Sequence, residues 1–125
     1  MLARPSALVR SVIGCAIEVH RTVGPGLLES AYESCLTLEL HDRGITFARQ
    51  VPVPMLYKSR RLDCGYRADL IVENELLLEL KAIERLLPIH QAQVLTYLKL
   101  IDLHHGLIIN FNVRRLVDGI RSVVR

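Results

Sequence analysis

Apolar residues recur at steps of three and four along the first third of the chain, a spacing typical of helices with one buried face. The pattern predicts a first helix over residues 6–23, ended by the Gly-Pro-Gly turn at 24–26. A second helix is predicted over residues 27–43, with Gly44 as its C-terminal stop. Its predicted buried positions are Leu28, Ala31, Tyr32, Cys35, Leu36 and Leu38. Glu29 falls at the rim of this arc, so a carboxylate is predicted to face the core.

The hydrophobic period changes to two in the middle of the chain, which is typical of strands. Residues 50–57 contain two prolines and predict an edge strand, followed by a polar turn at 58–61. Two further strands are predicted over residues 62–72 and 76–82. Three consecutive leucines at 76–78 indicate that the second of these strands is central and covered on both faces.

The last third of the chain predicts a helix and two closing strands. Pro88 suits the first turn of a helix over residues 88–102, and the apolar residues 106–111 predict a buried strand. A strand, a helix and a second strand in this order favour a crossover with parallel pairing. Residues 119–124 predict a short edge strand. The chain is therefore predicted to be one α/β domain, residues 1–125, with a mixed central sheet of about four to five strands flanked by helices.

Composition favours a folded protein of a reducing compartment. The 125 residues are 50% apolar and 23% charged, values that argue against a disordered chain. The three cysteines are odd in number and no pair forms CxxC, so neither a disulfide framework nor a zinc knuckle is predicted. A cytoplasmic location is expected, with the cysteines as small buried residues. No apolar run reaches the ~18 residues of a membrane span, so no membrane partner is predicted.

The net charge of +3 permits binding to a polyanion without requiring it. The basic residues are clustered, because Lys58, Arg60, Arg61 and Arg67 lie within ten positions. Such a cluster indicates contacts with nucleic-acid phosphates or, alternatively, an ordinary solvated loop. Aromatic residues make up only 5% of the chain, so a base-stacking platform for single strands is not predicted.

Three charged residues interrupt the predicted central strands. Glu79 and Lys81 are two positions apart on one strand and therefore share a face, and Asp69 lies on the preceding strand. Asp69 can face Glu79 only if the connecting loop holds three residues or a bulge intervenes. Val72 then pairs with Leu76, and the two carboxylates lie about 5 Å apart at their Cβ atoms.

Paired carboxylates in a mostly apolar sheet cost free energy unless a counter-charge is supplied. Their oxygens suit Mg²⁺ or Mn²⁺, and Lys81 could orient an attacking water or neutralise charge on a phosphate. An ordinary salt bridge among Asp69, Glu79 and Lys81 is the alternative. Glu29 on the preceding helix favours a site, as do Gln93 and Tyr97, which share a face of the following helix.

The same residues resemble a known family. Asp69 followed by Glu79-x-Lys81, in a helix–hairpin–helix–strand order, resembles the core of the PD-(D/E)XK nuclease superfamily. Within it, Gly26-Leu-Leu-Glu29-Ser-Ala-Tyr32 matches the motif that names the GxxExxY protein family. Further matching segments are Val19-His20, Tyr66-Arg67-Ala68-Asp69, Gln93 with Tyr97, and Ile109-Asn110-Phe111.

This resemblance implies a restriction-endonuclease-like core and a metal-dependent nuclease, with DNA the favoured substrate. It makes Asp69 and Glu79 metal ligands and Lys81 the catalytic lysine. Glu29 becomes an acidic residue that assists at the metal, and Gln93 a helix residue near the active site. Mg²⁺, or Mn²⁺ in its place, is the implied cofactor.

Other classes of function fit the same fold. A non-catalytic module could bind nucleic acid or protein, and a subunit of a larger complex could be active only with its partner. The predicted edge strand 50–57 could pair with a second copy, so a homodimer is also considered. In so short a chain, an element that reads bases or threads the substrate is expected to come from another subunit.

Overall fold

Helices cover both faces of one mixed sheet. The computed structural model describes residues 6–125, so residues 1–5 of the predicted domain lie outside the description. The helices are α1 (Ala7–Val23), α2 (Glu29–Asp42) and α3 (Pro88–Ile101). The strands are β1 (Phe47–Pro52), β2 (Met55–Tyr57), β3 (Arg60–Leu62), β4 (Arg67–Val72), β5 (Leu76–Lys81), β6 (His105–Asn110) and β7 (Ile120–Val124).

The central sheet has five strands in the order β1-β4-β5-β6-β7. Strands β5 and β6 run parallel and are joined through α3, whereas the other neighbouring pairs are antiparallel. The predicted fold class, a restriction-endonuclease-like mixed sheet flanked by helices, is confirmed, as is the parallel crossover. Strand β5 is buried along its length except at its last residue, Lys81, as the run of leucines predicts.

Alternate side chains of β5 point to opposite faces of the sheet and pack against different helices. Leu76, Leu78 and Leu80 pack in one cluster with α1 and α2, and Leu77 packs in a second cluster with α3. Because successive residues of a strand point to opposite faces, Glu79 and Lys81 lie on the face of Leu77. The charged residues of β5 therefore lie on the α3 side of the sheet.

The middle of the chain differs from the prediction. Strands β2 and β3 pair only with each other, as a hairpin outside the central sheet. The predicted polar turn is confirmed at Lys58 and Ser59, but its predicted end at 61 is wrong because β3 begins at Arg60. The predicted strand over 62–72 begins only at Arg67. The edge strand is confirmed as an edge, but it spans Phe47–Pro52 and ends at a proline, which cannot continue donating to a ladder.

The buried face of α2 is also shifted from the prediction. Leu28 is 77% exposed and Leu38 is 62% exposed, so their predicted burial is wrong. The helix starts at Glu29, which leaves Leu28 as its N-cap. Glu33 and Thr37 are buried instead, and both read as surface residues in the sequence because they are polar.

The cysteines do not share one environment. Cys15 is buried and Cys35 is half-buried, but Cys64 is exposed, so the prediction of three buried cysteines is wrong at that position. Cys64 lies just beyond β3, in the segment that returns from the hairpin to the central sheet. Its exposure follows from the placement of the hairpin outside the central sheet, which the sequence pattern does not predict.

Tyr32 connects α2 to the sheet and to the turn that precedes the helix. Its ring is fully buried and stacks on Phe111, with 4.4 Å between the ring centroids. Its hydroxyl donates to the carbonyl oxygen of Gly24 at 2.6 Å and accepts from the Leu27 N–H at 3.2 Å. The predicted packing role of Tyr32 is therefore confirmed, and the same side chain fixes the backbone that leads to Glu29.

Replacing Tyr32 with phenylalanine is expected to lower the free energy of unfolding by about 1–2 kcal/mol, since both hydroxyl hydrogen bonds are lost while the ring stacking is kept. Denaturant unfolding of the variant and the wild type measures this difference. The matched control is Tyr57→Phe, whose hydroxyl lies on an exposed side chain of β2. A Tyr32→Phe variant as stable as the control would show that the hydroxyl does not hold the turn.

Candidate active site

Asp69 and Glu79 lie side by side at the place where the pairing of β4 with β5 stops. The ladder runs from Val72–Leu76 to Leu70–Leu78, one pair short of the two acids. The three-residue loop and the predicted register are therefore confirmed. Beyond the ladder, side chains take over the hydrogen bonds, since the Leu80 N–H donates to Asp69 Oδ2 at 2.8 Å.

Glu79 is fixed in a matching way. Its Oε1 accepts the backbone N–H of Asp69 at 3.1 Å, so each carboxylate accepts an N–H from the neighbouring strand. The two acids thus replace main-chain pairing with side-chain pairing, which holds both of them in place. An ordinary salt bridge is not formed, because within residues 6–125 Asp69, Glu79 and Lys81 contribute to no ion pair within 4.0 Å.

Burial and mutual repulsion oppose ionisation of this pair. Glu79 is 6% exposed. Burial, followed by the negative charge of Asp69, raises the pKa of Glu79 from 4.5 to about 8, although the positive charge of Lys81 acts in the opposite direction. Burial also raises the pKa of Asp69, against the hydrogen bond from Leu80. A bound cation would relieve this cost.

Glu29 does not face the core as predicted. It is exposed in the first turn of α2, where a carboxylate suits the positive end of the helix dipole. Its negative charge nevertheless contributes to raising the pKa of both Asp69 and Glu79, so it lies within electrostatic range of the pair. An open cleft of 380 Å³ is lined by Glu29 and by Ala82, which directly follows Lys81.

Glu33 is an acidic neighbour of the site that the sequence pattern does not reveal. It is 9% exposed and lies one helical turn after Glu29. Arg49 of β1 donates to its Oε2 from both Nε, at 3.1 Å, and Nη2, at 2.9 Å. The charge of Glu33 contributes to raising the pKa of Asp69. The i, i+4 spacing from Glu29 is the sequence signal that could have found it.

Gln50 bridges Glu33 to the Asp69–Glu79 pair. Its amide Nε2 donates to Glu33 Oε1 at 2.6 Å and to Asp69 Oδ1 at 3.5 Å. Gln50 has a φ of 49°, in the left-handed region, and the pairing of β1 with β4 skips it. A non-glycine residue held in that region is commonly found where the surrounding structure fixes a functional side chain. We interpret Gln50 as a residue that positions Asp69.

Replacing Gln50 with alanine is expected to weaken binding of Mn²⁺ about tenfold, because residues that orient a ligand typically contribute 10- to 100-fold in metal affinity. Calorimetric titration of Mn²⁺ into the wild type and the variant measures the change. Gln91→Ala is the matched control, since Gln91 is exposed on α3. Equal affinity in Gln50→Ala and the control would contradict the positioning role.

Gln93 is placed beside the pair through Tyr97 and not by direct contact. Its Nε2 donates to the Tyr97 hydroxyl at 3.1 Å, which confirms the predicted i, i+4 contact. Burial and then the negative charge of Glu79 raise the pKa of Tyr97, so this hydroxyl faces the acidic site. Gln93 is half-buried on α3, the helix on the side of the sheet to which Glu79 points.

The three arginines predicted to contact nucleic acid are all exposed. Arg60 and Arg61 lie on β3 of the hairpin, and Arg67 begins β4, two residues before Asp69. The hairpin that carries Arg60 and Arg61 leaves the chain between β1, which holds Gln50, and β4, which holds Arg67 and Asp69. The basic cluster is thus attached to the acidic site through the chain.

The donor chemistry of the site suits a hard divalent cation. Asp69 and Glu79 offer carboxylate oxygens, which Mg²⁺ and Mn²⁺ prefer, and burial, followed by the charge of Asp69, raises the pKa of Glu79 and so opposes ionisation of both acids. Across the described part of the chain, no group of three or more His, Cys, Asp and Glu side chains is arranged to hold a metal. A site of two carboxylates with water and substrate oxygens is typical of Mg²⁺.

The fold and the paired carboxylates define a nuclease-like α/β domain. A family model described as the PD-(D/E)XK nuclease superfamily matches residues 6–123, and the chain belongs to that superfamily. No curated protein and no solved structure matches the chain in the corresponding searches. Among the described residues, no helix is both long and apolar enough to span a membrane.

Proposed function

We propose that the protein is a Mg²⁺- or Mn²⁺-dependent nuclease that hydrolyses phosphodiester bonds in DNA. The single observation that carries the proposal is the buried Asp69–Glu79 pair, in which each carboxylate accepts a backbone N–H and the pKa of Glu79 is raised to about 8. Burying two adjacent carboxylates is energetically unfavourable. A purely structural role does not require such a pair. Membership of the nuclease superfamily supports the same conclusion.

Asp69 and Glu79 would hold the cation, with Glu29 assisting from the first turn of α2, within electrostatic range of the pair. A divalent cation at this site supplies Lewis acidity toward a phosphate oxygen. The chain's own contribution is positional, because Leu80 and Gln50 each donate to one oxygen of Asp69. The carboxylates therefore need little reorganisation when the substrate binds.

Lys81 would stabilise charge at the reacting phosphate. It lies on the same face of β5 as Glu79 and is half-buried at the end of the strand. Its ammonium group can donate to a phosphate oxygen or hold the attacking water, and either contact strengthens as negative charge develops. Gln93, tied to Tyr97, would line the substrate side of the site.

Arg60, Arg61 and Arg67 would contact the phosphates of the substrate, which makes binding weaken steeply with salt.

The motif Gly26 to Tyr32 supports a finer assignment to the GxxExxY family. We also propose a cytoplasmic location, since the described cysteines are unbonded. The exposed edge at β1 supports a homodimer or a partner subunit as a further proposal.

A cleavage assay on mixed DNA and RNA tests the proposal. We expect the wild type to cut DNA with Mg²⁺ or Mn²⁺, EDTA to stop the reaction, and Asp69→Ala to be inactive. Asp63→Ala is the matched control, because Asp63 is an exposed aspartate near the same end of β4. Cleavage by Asp69→Ala at the wild-type rate would contradict the proposal. A wild type that binds DNA and metal without cutting would favour a non-catalytic module or a partner-dependent subunit.

A further inference from the structure

The strands of the β2–β3 hairpin pair with each other and with no strand of the central sheet. Its strands pair in the register Met55–Leu62, Leu56–Arg61 and Tyr57–Arg60. Lys58 and Ser59 form the turn with φ values of 49° and 66°. Positive φ at both turn positions is the geometry of a tight hairpin that glycine and asparagine normally supply. A lysine in this place costs free energy, which suggests that its side chain is needed there.

The hairpin presents unpaired positive charge on both of its faces. Residues opposite each other share a face, so Arg60 lies with Tyr57 and Arg61 lies with Leu56 on the other side. Lys58 adds a third cation at the tip, 5.5 Å from the centre of the Tyr57 ring. Among residues 6–125, none of these three cations forms an ion pair with an acid, unlike Arg21, Arg49 and Arg125.

The base of the hairpin is anchored next to the acidic site. Pro52 pairs with Arg67, and the Val53 N–H donates to the Tyr66 carbonyl oxygen at 2.9 Å. The Tyr66 ring lies against Tyr97, with 5.9 Å between centroids. Asp69 lies ten positions after Ser59, and at ~3.3 Å per residue this stretch spans at most about 33 Å. The tip of the hairpin therefore lies no farther from Asp69 than about one ~34 Å turn of B-form DNA.

The shape of the hairpin selects among nucleic acids. A two-stranded ribbon fits the ~12 Å major groove of B-form DNA, whereas the major groove of A-form RNA is too deep and narrow. Cations on both faces suit a groove whose two walls are phosphate backbones. A single-strand binder would instead present successive aromatic rings, and in the described hairpin Tyr57 is the one exposed ring.

We propose that the β2–β3 hairpin enters the major groove of B-form duplex DNA, with Arg60 and Arg61 on opposite phosphate walls and Lys58 at the tip. The inference rests on the proposed nuclease function and names the substrate as duplex DNA. The hairpin would contact the duplex within about one helical turn of the phosphate at the acidic site. The inference places a DNA-binding element within this chain, and an element that reads bases is still expected from another subunit.

The test compares Lys58→Ala/Arg60→Ala/Arg61→Ala with a control that loses equal charge elsewhere, Arg21→Ala/Arg43→Ala/Lys99→Ala. The control residues are exposed on helices or at a helix end. Fluorescence anisotropy in EDTA measures binding to a 20-bp DNA duplex, the RNA duplex of the same sequence and each DNA single strand, over a range of salt. Circular dichroism checks that both triple variants fold.

We expect the hairpin variant to bind duplex DNA at least tenfold more weakly, with a salt slope smaller by about 2 to 3, since each phosphate contact contributes ~0.9. The control should change binding less than threefold. The wild type should prefer duplex DNA to duplex RNA and to single strands at least tenfold, and the hairpin variant should lose that preference. Equal binding by wild type and hairpin variant, or no wild-type preference for duplex DNA, would overturn the inference.

Cleavage by the same preparations separates this inference from the proposed function. Metal-dependent cleavage by the wild type together with an unaffected hairpin variant would reject the hairpin role and leave the nuclease intact. Hairpin-dependent binding of duplex DNA without any cleavage would keep the hairpin role and contradict the nuclease.

Discussion

Replacing Lys81 with alanine is expected to lower the rate of DNA cleavage by about 10²- to 10³-fold, the effect typical of removing one preorganised group that stabilises transition-state charge. The metal affinity should not fall, because Asp69 and Glu79 keep their hydrogen bonds from the backbone. The loss should therefore appear in the single-turnover rate constant and not in the metal concentration needed for half-maximal activity.

The control for this prediction is Lys99→Ala, which removes an exposed lysine of α3. Single-turnover cleavage at saturating Mn²⁺, together with Mn²⁺ titration, gives both quantities for each variant. Should Lys81→Ala cut DNA as fast as Lys99→Ala, Lys81 would have no catalytic role.

The metal-free protein is expected to lose stability as the pH rises from about 4.5 to about 8. Burial and the charge of Asp69 raise the pKa of Glu79 from 4.5 in the unfolded chain to about 8 in the folded one. Between these values the folded state holds a proton that the unfolded state has released, so the free energy of unfolding falls with pH. At ~1.4 kcal/mol per pKa unit, the total decline is on the order of 5 kcal/mol.

Below pH 4.5 both states are protonated at Glu79, and above pH 8 both are ionised, so this contribution levels off at each end. Denaturant unfolding in EDTA across this range measures the decline. Glu79→Gln removes the titrating group and should give a flatter profile, and Mg²⁺ should restore stability to the wild type at pH 8. Parallel profiles for wild type and Glu79→Gln would show that burial of Glu79 does not set the pH dependence.

The central strands and their register could be predicted because local rules decide them. The three leucines of 76–78 indicate burial on both faces, and the parity of the loop decides whether Asp69 shares a face with Glu79. Because side chains alternate between the two faces of a strand, Asp69 and Glu79 lie either on the same face or on opposite faces. The juxtaposition of Asp69 and Glu79 could therefore be predicted from the sequence.

The support around that pair was less accessible, because it depends on contacts between distant residues. Glu33 reads as a surface residue, and its burial is compensated by Arg49 sixteen residues later. Gln50 acts through an unusual backbone conformation that no neighbouring glycine signals. The turn near Lys58 was predicted from its polar residues, but its tight form and the separation of β2 and β3 from the central sheet were not, since Lys58-Ser59 lacks the residues that normally mark a two-residue turn.

Calorimetric titration of Mn²⁺ into the wild type and Asp69→Asn tests the central claim most directly, since that claim is a cation site built from Asp69 and Glu79. Asp63→Asn serves as the control for the loss of one negative charge at an exposed position. We predict saturable binding to the wild type and to Asp63→Asn, and none to Asp69→Asn. Absence of binding to the wild type at millimolar Mn²⁺ with DNA present, or unchanged binding to Asp69→Asn, would contradict the account.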